Sequence, residues 1–149
     1  MGKGSLLSEN PLKVIVNVDG GSRGNPGPAA AGVVVSDAAD GTVLQEAGIY
    51  LGHATNNVAE YRGLLEGLRL AALLQAAEVE IVSDSQLLVY QMIGRYRVKH
   101  PGLAPLHRQA KELAEKFRKC SFRHVRREDN DHADSLVNQA LDQKRDVRP

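Results

Sequence analysis

Long apolar runs are missing from this sequence. Its hydrophobic stretches are short and interrupted by charge, so none has the length needed to cross a bilayer as a helix. The opening residues, MGKGSLLSENP, are too few and too polar for a secretory signal and read as part of a flexible tail over 1–12. There is one cysteine, Cys120, which excludes an internal disulfide. It falls in a strand-like stretch and reads as a buried, inert thiol rather than a nucleophile, which makes the cytoplasm the default location. No Cys or His pair stands at zinc spacing, there is no tryptophan, and neither a repeat nor a low-complexity linker appears. A net charge of +1 gives no whole-molecule attraction to nucleic acid.

Charge is nevertheless uneven. Arg95, Arg97, Lys99 and His100 form one basic cluster, and Arg118, Lys119, Arg123, Arg126 and Arg127 form another; on charge alone each reads as a solvated surface. At 149 residues the chain suits one domain, here placed at 13–143 with a C-terminal tail over 144–149. The β-branched run Lys13 to Asp19 predicts a strand. After the turn-rich Gly20 to Pro28, two more strands are expected over Ala29–Ser36 and Thr42–Tyr50, joined at Asp40-Gly41. Thr55-Asn56-Asn57 supplies helix-starting residues, and Tyr61, Leu64, Leu65, Leu68 and Ala72 recur at helical spacing to about Gln75. A strand at Glu78–Ser83, a helix from Asp84 to Ile93, a helix carrying Leu103 to Phe117, a strand at Ser121–Val125 and a helix from Asn130 to about Asp142 complete the order βββαβααβα.

This order describes an α/β domain with a five-stranded mixed sheet flanked by helices. Right-handed crossovers make the first, fourth and fifth strands parallel at the centre, with the hairpin strands antiparallel at one edge. Sites form at the carboxyl ends of such parallel strands. Asp19 is expected to end the first strand, and Asp84 directly follows the fourth, so both carboxylates belong to one edge. Neighbouring carboxylates either raise a pKa or share a cation, and hard oxygen donors point to Mg²⁺ or Mn²⁺ rather than zinc. Glu60 and Asp134 lie in early turns of helices starting near the same edge. Singly, each acid also fits a plain structural role: a helix N-terminal acid, a cap or a turn former. Four at one edge are harder to explain that way.

The segments VDGGSRGNPGPAAAG, TNNVAEYRGLLEGL, VSDSQLLVYQM and EDNDHADSLVNQA, in this order and spanning nearly all of Lys13 to Leu141, resemble the four blocks of type 1 ribonuclease H. The TNNVAEYRGL block is closest to the compact bacterial and archaeal branch that lacks a basic protrusion. The resemblance implies a ribonuclease H-like fold and a catalytic, metal-binding quartet of Asp19, Glu60, Asp84 and Asp134. Asp131 competes for the last place, and the Asp134-Ser135-Leu136 pattern favours Asp134.

The implied reaction is hydrolysis of the RNA strand of an RNA/DNA hybrid by two Mg²⁺ ions roughly 3.5–4 Å apart, with Mn²⁺ able to substitute. It leaves 5′-phosphate and 3′-hydroxyl ends. The resemblance assigns substrate contacts to Gly20, Gly21, Ser22, Arg23 and Asn25 in the glycine turn, to Thr55, Asn56 and Asn57 at the helix start, and to Ser85 and Gln86. A glycine-lined turn suits close approach to a narrow groove and to 2′-hydroxyls. The turn matches neither GxGxxG nor a Gly-Lys-Ser/Thr phosphate cradle.

Two departures stand out. Gly94 to Leu106 is compact where better-known members carry a Lys/Trp-rich insertion, which implies modest affinity and marked salt sensitivity. The loop that holds a mobile histidine in many members is shortened to Arg126-Arg127-Glu128-Asp129, so Arg126 or Arg127 is expected to contact the leaving phosphate. His124 is expected in the preceding strand and His132 on the surface of the last helix. A non-catalytic nucleic-acid-binding module on the same scaffold has no use for a mutually repelling quartet. Activity on double-stranded RNA stays open, and a monomer is the default expectation.

Overall fold

The computed structural model describes residues 11–149, so residues 1–10 of the expected N-terminal tail lie outside the described residues. Strands β1 (Lys13–Ser22), β2 (Gly27–Asp37) and β3 (Val43–Ala54) are followed by helix α1 (Asn56–Leu73) and strand β4 (Glu78–Ser83). Helices α2 (Gln86–Met92) and α3 (Ala104–Ala114), strand β5 (Lys119–His124), a 3-10 turn (Arg127–Asn130) and helix α4 (Asp131–Gln143) complete the chain. The sheet order is β3-β2-β1-β4-β5, with β1–β3 an antiparallel meander and β1, β4 and β5 parallel, as the crossover argument requires. Only β1 and β4 among the parallel strands are interior; β5 forms an edge.

The sheet is packed on both faces. Alternation along β1 turns Val14, Val16 and Val18 to one side, where with Val33 and Val35 they meet Tyr61, Leu64, Leu68 and Ala71 of α1. On the other side Ala30 and Val34 meet Ala133, Leu136, Val137 and Ala140 of α4. Here the helix lies almost on the sheet backbone. A Cβ on Gly32 would stand 2.2 Å from the Ala133 carbonyl oxygen, so only glycine permits this approach.

Several boundaries differ from the sequence reading for identifiable reasons. β1 does not end at Asp19: pairing with β2 carries it on to Ser22, whereas its parallel ladder with β4 stops at Val18 opposite Ser83. Asp19 therefore marks the end of that ladder rather than the end of the strand. β3 extends to Ala54 because β2 pairs with it as far as Gly27 opposite Ala54. Helix α1 stops at Leu73, and Gln75 adopts a left-handed φ of 60°. α2 starts at Gln86 because Ser85 is its cap, and α3 stops at Ala114, short of Phe117. At the C-terminus, Val147 bridges Gly48 of β3, and the Asp146 carboxylate accepts from the Tyr50 N–H at 2.8 Å, so residues 146 and 147 of the expected tail meet the sheet. Among the described residues, no helix is long and apolar enough to cross a membrane.

Candidate active site

Asp19, Glu60, Asp84 and Asp134 line one cleft of about 500 Å³. Four different elements deliver them. Asp19 sits on β1 where the β4 ladder ends, and Asp84 immediately follows β4. Glu60 comes from the second turn of α1, whose start is set by Thr55: its hydroxyl accepts from the Val58 N–H at 3.2 Å. α1 passes so close to β1 that a Cβ on Gly20 would stand 2.3 Å from the Ala59 carbonyl carbon and the Glu60 nitrogen. Glycine at 20 thus lets the Glu60 segment reach Asp19. Asp134 occupies the first turn of α4, with the Arg127 guanidinium 3.8 Å from its carboxylate.

Burial, and after it the crowding of like charge, shows in the protonation equilibria. Asp19 is only 8% exposed, and its pKa is pushed up to about 8. Burial is the largest cause, and the Asp84 and Asp134 charges add to it while a hydrogen bond from the Gly20 N–H opposes. Glu60 is pushed up to about 7, again mainly by burial, with Asp84 adding and the Ser85 hydroxyl opposing. Such carboxylates accept either a proton or a metal ion. The donors are all hard oxygens, which fits Mg²⁺ or Mn²⁺. Among the described residues, no three Asp, Glu, His or Cys side chains are gathered tightly enough to hold an ion as they stand. The quartet lines an open cleft rather than closing a cage, so further oxygens are needed to complete a coordination shell.

The cleft continues along the glycine turn and the start of α1. Gly20, Gly21, Ser22, Arg23, Asn56 and Asn57 line it together with Arg127, Val137, Asn138 and Leu141. The Asn56 side-chain oxygen accepts from both the backbone N–H (2.7 Å) and the hydroxyl (3.1 Å) of Ser22. The Asn25 side-chain oxygen in turn accepts from the Asn56 N–H at 3.0 Å. The turn and the helix start are thereby locked to each other. With its oxygen engaged, Asn56 keeps its NH₂ as the group available to a ligand.

The Reverse transcriptase-like family matches residues 17–140, which includes all four acids. The RNase H1 of the halophilic archaeon Halobacterium salinarum superimposes with a TM-score of 0.85 at 42% identity, covering 88% of this chain and 98% of that one. The chain belongs to the type 1 ribonuclease H family. The N-terminal RNase H domain of Rv2228c from Mycobacterium tuberculosis is 52% identical with a TM-score of 0.86, over 89% of this chain and 95% of that domain. LC11-RNase H1, solved in complex with an RNA/DNA hybrid, is 40% identical with a TM-score of 0.83, over 88% and 98% of the two chains. The chain spans 36% of the full-length mycobacterial protein and 62% of the curated Halobacterium ribonuclease HI.

Against the family's expected residues, the structure brings most together and leaves some apart. Asp134 faces the cleft, whereas Asp131 is exposed and does not line it. Arg127 reaches the cleft and Arg126 does not. Thr55, Asn25, Ser85 and Gln86 flank the cleft without lining it. Thr55 and Ser85 use their hydroxyls as helix caps, and Gln86 is exposed. His124 ends β5 on the surface, and His132 pairs with Glu46 at 3.3 Å, away from the acids. Cys120 is half-buried in β5, and burial pushes its thiol up to about 11, in keeping with an inert role. Sequence reasoning gave no place at the site to Asn138, which lines the cleft, or to Asn17 and Asn130, whose side chains bond to each other while the Asn130 amide reaches Asp84. The signal for Asn130 was present but ambiguous, since an asparagine just before a helix reads as a cap.

Proposed function

We propose that this domain is an endonuclease that hydrolyses the RNA strand of RNA/DNA hybrids with divalent metal ions, Mg²⁺ or Mn²⁺ by the hardness of its oxygen donors. The observation that carries the reading is the convergence of Asp19, Glu60, Asp84 and Asp134 on one cleft whose rim is the Gly20–Arg23 turn and the Asn56–Asn57 helix start. Its relatives include a ribonuclease H1 solved with such a hybrid.

Asp19, Glu60, Asp84 and Asp134 are the residues to hold the ions. Bound there, divalent ions would supply the charge that lowers the pKa of water and offsets charge on the scissile phosphate. The four carboxylates orient that charge, and the raised pKa values of Asp19 and Glu60 mean that protons compete for the same oxygens. Gly20 and Gly21 let the nucleic-acid backbone come close. With the Asn56 side-chain oxygen held by Ser22 and its backbone N–H by Asn25, the Asn56 NH₂ is the group to test for a 2′-hydroxyl, which separates RNA from DNA. Asn57 serves the other strand, and Arg127 is the cation available to the phosphate at the cut. The products are 5′-phosphate and 3′-hydroxyl ends. A cytoplasmic monomer working wherever hybrids arise completes the reading.

The test is cleavage of an end-labelled RNA/DNA hybrid in Mg²⁺ and in Mn²⁺, with double-stranded RNA, double-stranded DNA and single-stranded RNA alongside. Wild type is expected to cut the hybrid only with metal, and Asp84→Asn to lose roughly a thousandfold or more in rate. Hybrid binding without cutting in either metal would instead make the domain a nucleic-acid-binding module. Cutting of double-stranded RNA at a similar rate would widen the substrate class.

A further inference from the structure

Among the described residues the buried polar or charged side chains are Asp19, Ser83, Gln91 and Asn130. Asn130 is 2% exposed and has no part in the mechanism above. It occupies the cap position of α4, yet its side chain makes no capping hydrogen bond. Its amide is spent elsewhere. Nδ2 donates to the Val18 carbonyl at 2.9 Å and to Oδ1 of Asp84 at 3.2 Å, while Oδ1 accepts from Nδ2 of Asn17 at 3.0 Å.

The place of these bonds gives them their meaning. The parallel ladder of β1 and β4 ends at Val18 opposite Ser83, and the next residue on each chain is an acid of the quartet, Asp19 and Asp84. One carboxamide therefore spans the opening, with one N–H on the backbone just before Asp19 and the other on the Asp84 carboxylate. Asn17 stands two residues before Asp19 and so on the same face of the sheet. Its donated hydrogen bond orients the Asn130 amide with nitrogen toward the two acceptors. Reversed, the amide would set its oxygen against a carbonyl and a carboxylate.

We propose that the Asn17–Asn130 pair is a positioning device that holds the Asp84 carboxylate at a set place relative to Asp19 and thereby tunes the affinity of the cleft for its divalent ion. The proposal rests on the quartet being a metal site and adds two positioning residues to it. Both act through Asp84 and neither is a ligand. Hydrogen bonds behind metal ligands act in this way generally.

The experiment is a Mn²⁺ titration of the whole metal-free chain by calorimetry, with thermal unfolding and hybrid cleavage measured on the same samples. Asn130→Ala is expected to weaken Mn²⁺ binding about tenfold and to lower kcat by a similar factor, with KM for the hybrid changed less than about twofold. Asn17→Ala should shift both in the same direction by less. The double variant should be no worse than Asn130→Ala alone, because Asn17 works only through Asn130. Leu68→Val, in the α1 core and outside the cleft lining, is the control: lower Tm, unchanged Mn²⁺ affinity. If Asn130→Ala and Asn17→Ala behave like that control, or if their effects add, the proposal is overturned. Should Asn130→Ala not fold, Asn17→Ala leaves the helix start intact and decides the matter. A wild type that binds Mn²⁺ but cuts no hybrid would sink the functional reading, while the binding cycle would still judge the positioning.

Discussion

Beneath α1 the sheet is covered by large side chains: Val14, Val16, Val18, Val33 and Val35 against Tyr61, Leu64 and Leu68. Beneath α4 it is nearly bare, with Ala30, Gly32 and Val34 under Ala133, Leu136 and Ala140. The first face buries most of the apolar area, and with it most of the hydrophobic stabilisation. The second brings backbone against backbone and leaves no slack in where the helix sits. Asp134 rides on that second helix, next to the residue whose carbonyl rests on Gly32. The α1 face supplies stability, and the α4 face supplies position.

Substitutions on each face sharpen this contrast. Leu68→Ala should cost about 2–5 kcal/mol by leaving a cavity. The fraction that stays folded should keep its kcat, checked by denaturant unfolding and by cleavage well below Tm. Gly32→Ala should cost less stability, about 1–3 kcal/mol, because it overpacks rather than empties the core. It displaces Asp134, however, and kcat should fall by about a hundredfold. Equal losses of kcat in the two variants would erase the distinction between the faces.

A smaller effect comes from the cleft itself. Asp19 and Glu60 have folded pKa values of about 8 and about 7, above their ordinary 3.8 and 4.5. The folded state therefore binds more protons than the unfolded chain between about pH 4 and pH 8. The stabilisation from these protons is complete below pH 4 and is lost as pH rises through the folded values. Metal-free protein should thus lose Tm between pH 5 and pH 8, and Mg²⁺ should restore it at the upper end. Asp19→Asn should flatten that slope and stabilise the metal-free form at pH 8, by on the order of 1 kcal/mol or more. A metal-free Tm that rises with pH over this range would contradict the assignment. Smallest of all, Asp146→Ala removes the hydrogen bond to the Tyr50 N–H on the α4 face. It should lower stability by less than about 1 kcal/mol and leave cleavage unchanged, since the freed N–H can turn to water.

How legible was all this in the residues themselves? The elements carrying strong periodicity appear in the expected order, because β-branched runs and i, i+3, i+4 patterns are local signals. The gathering of the four acids is legible for a different reason: the crossover rules send Asp19 and Asp84 to one edge of the sheet, and Glu60 and Asp134 lie in early turns of helices that start near it. What escaped was non-local. β1 runs past Asp19 because β2 continues beside it, a pairing no local pattern announces. Asn130 reads in sequence as part of a helix start, and only the folded chain turns its amide toward residues 17, 18 and 84. Thr55, by contrast, stands at the cap position that its sequence context suggested.

The placement of Asp134 on the last helix has a consequence for timing. A ribosome delivers Asp19, Glu60 and Asp84 first and Asp134 about fifty residues later. Domains begin to fold while the chain is still emerging. A nascent chain can therefore assemble its first four strands before the fourth acid of the cleft arrives. On the proposed reading, a chain still held among messenger and ribosomal RNA gains a complete cutting centre only when helix α4 clears the exit tunnel and settles on Gly32.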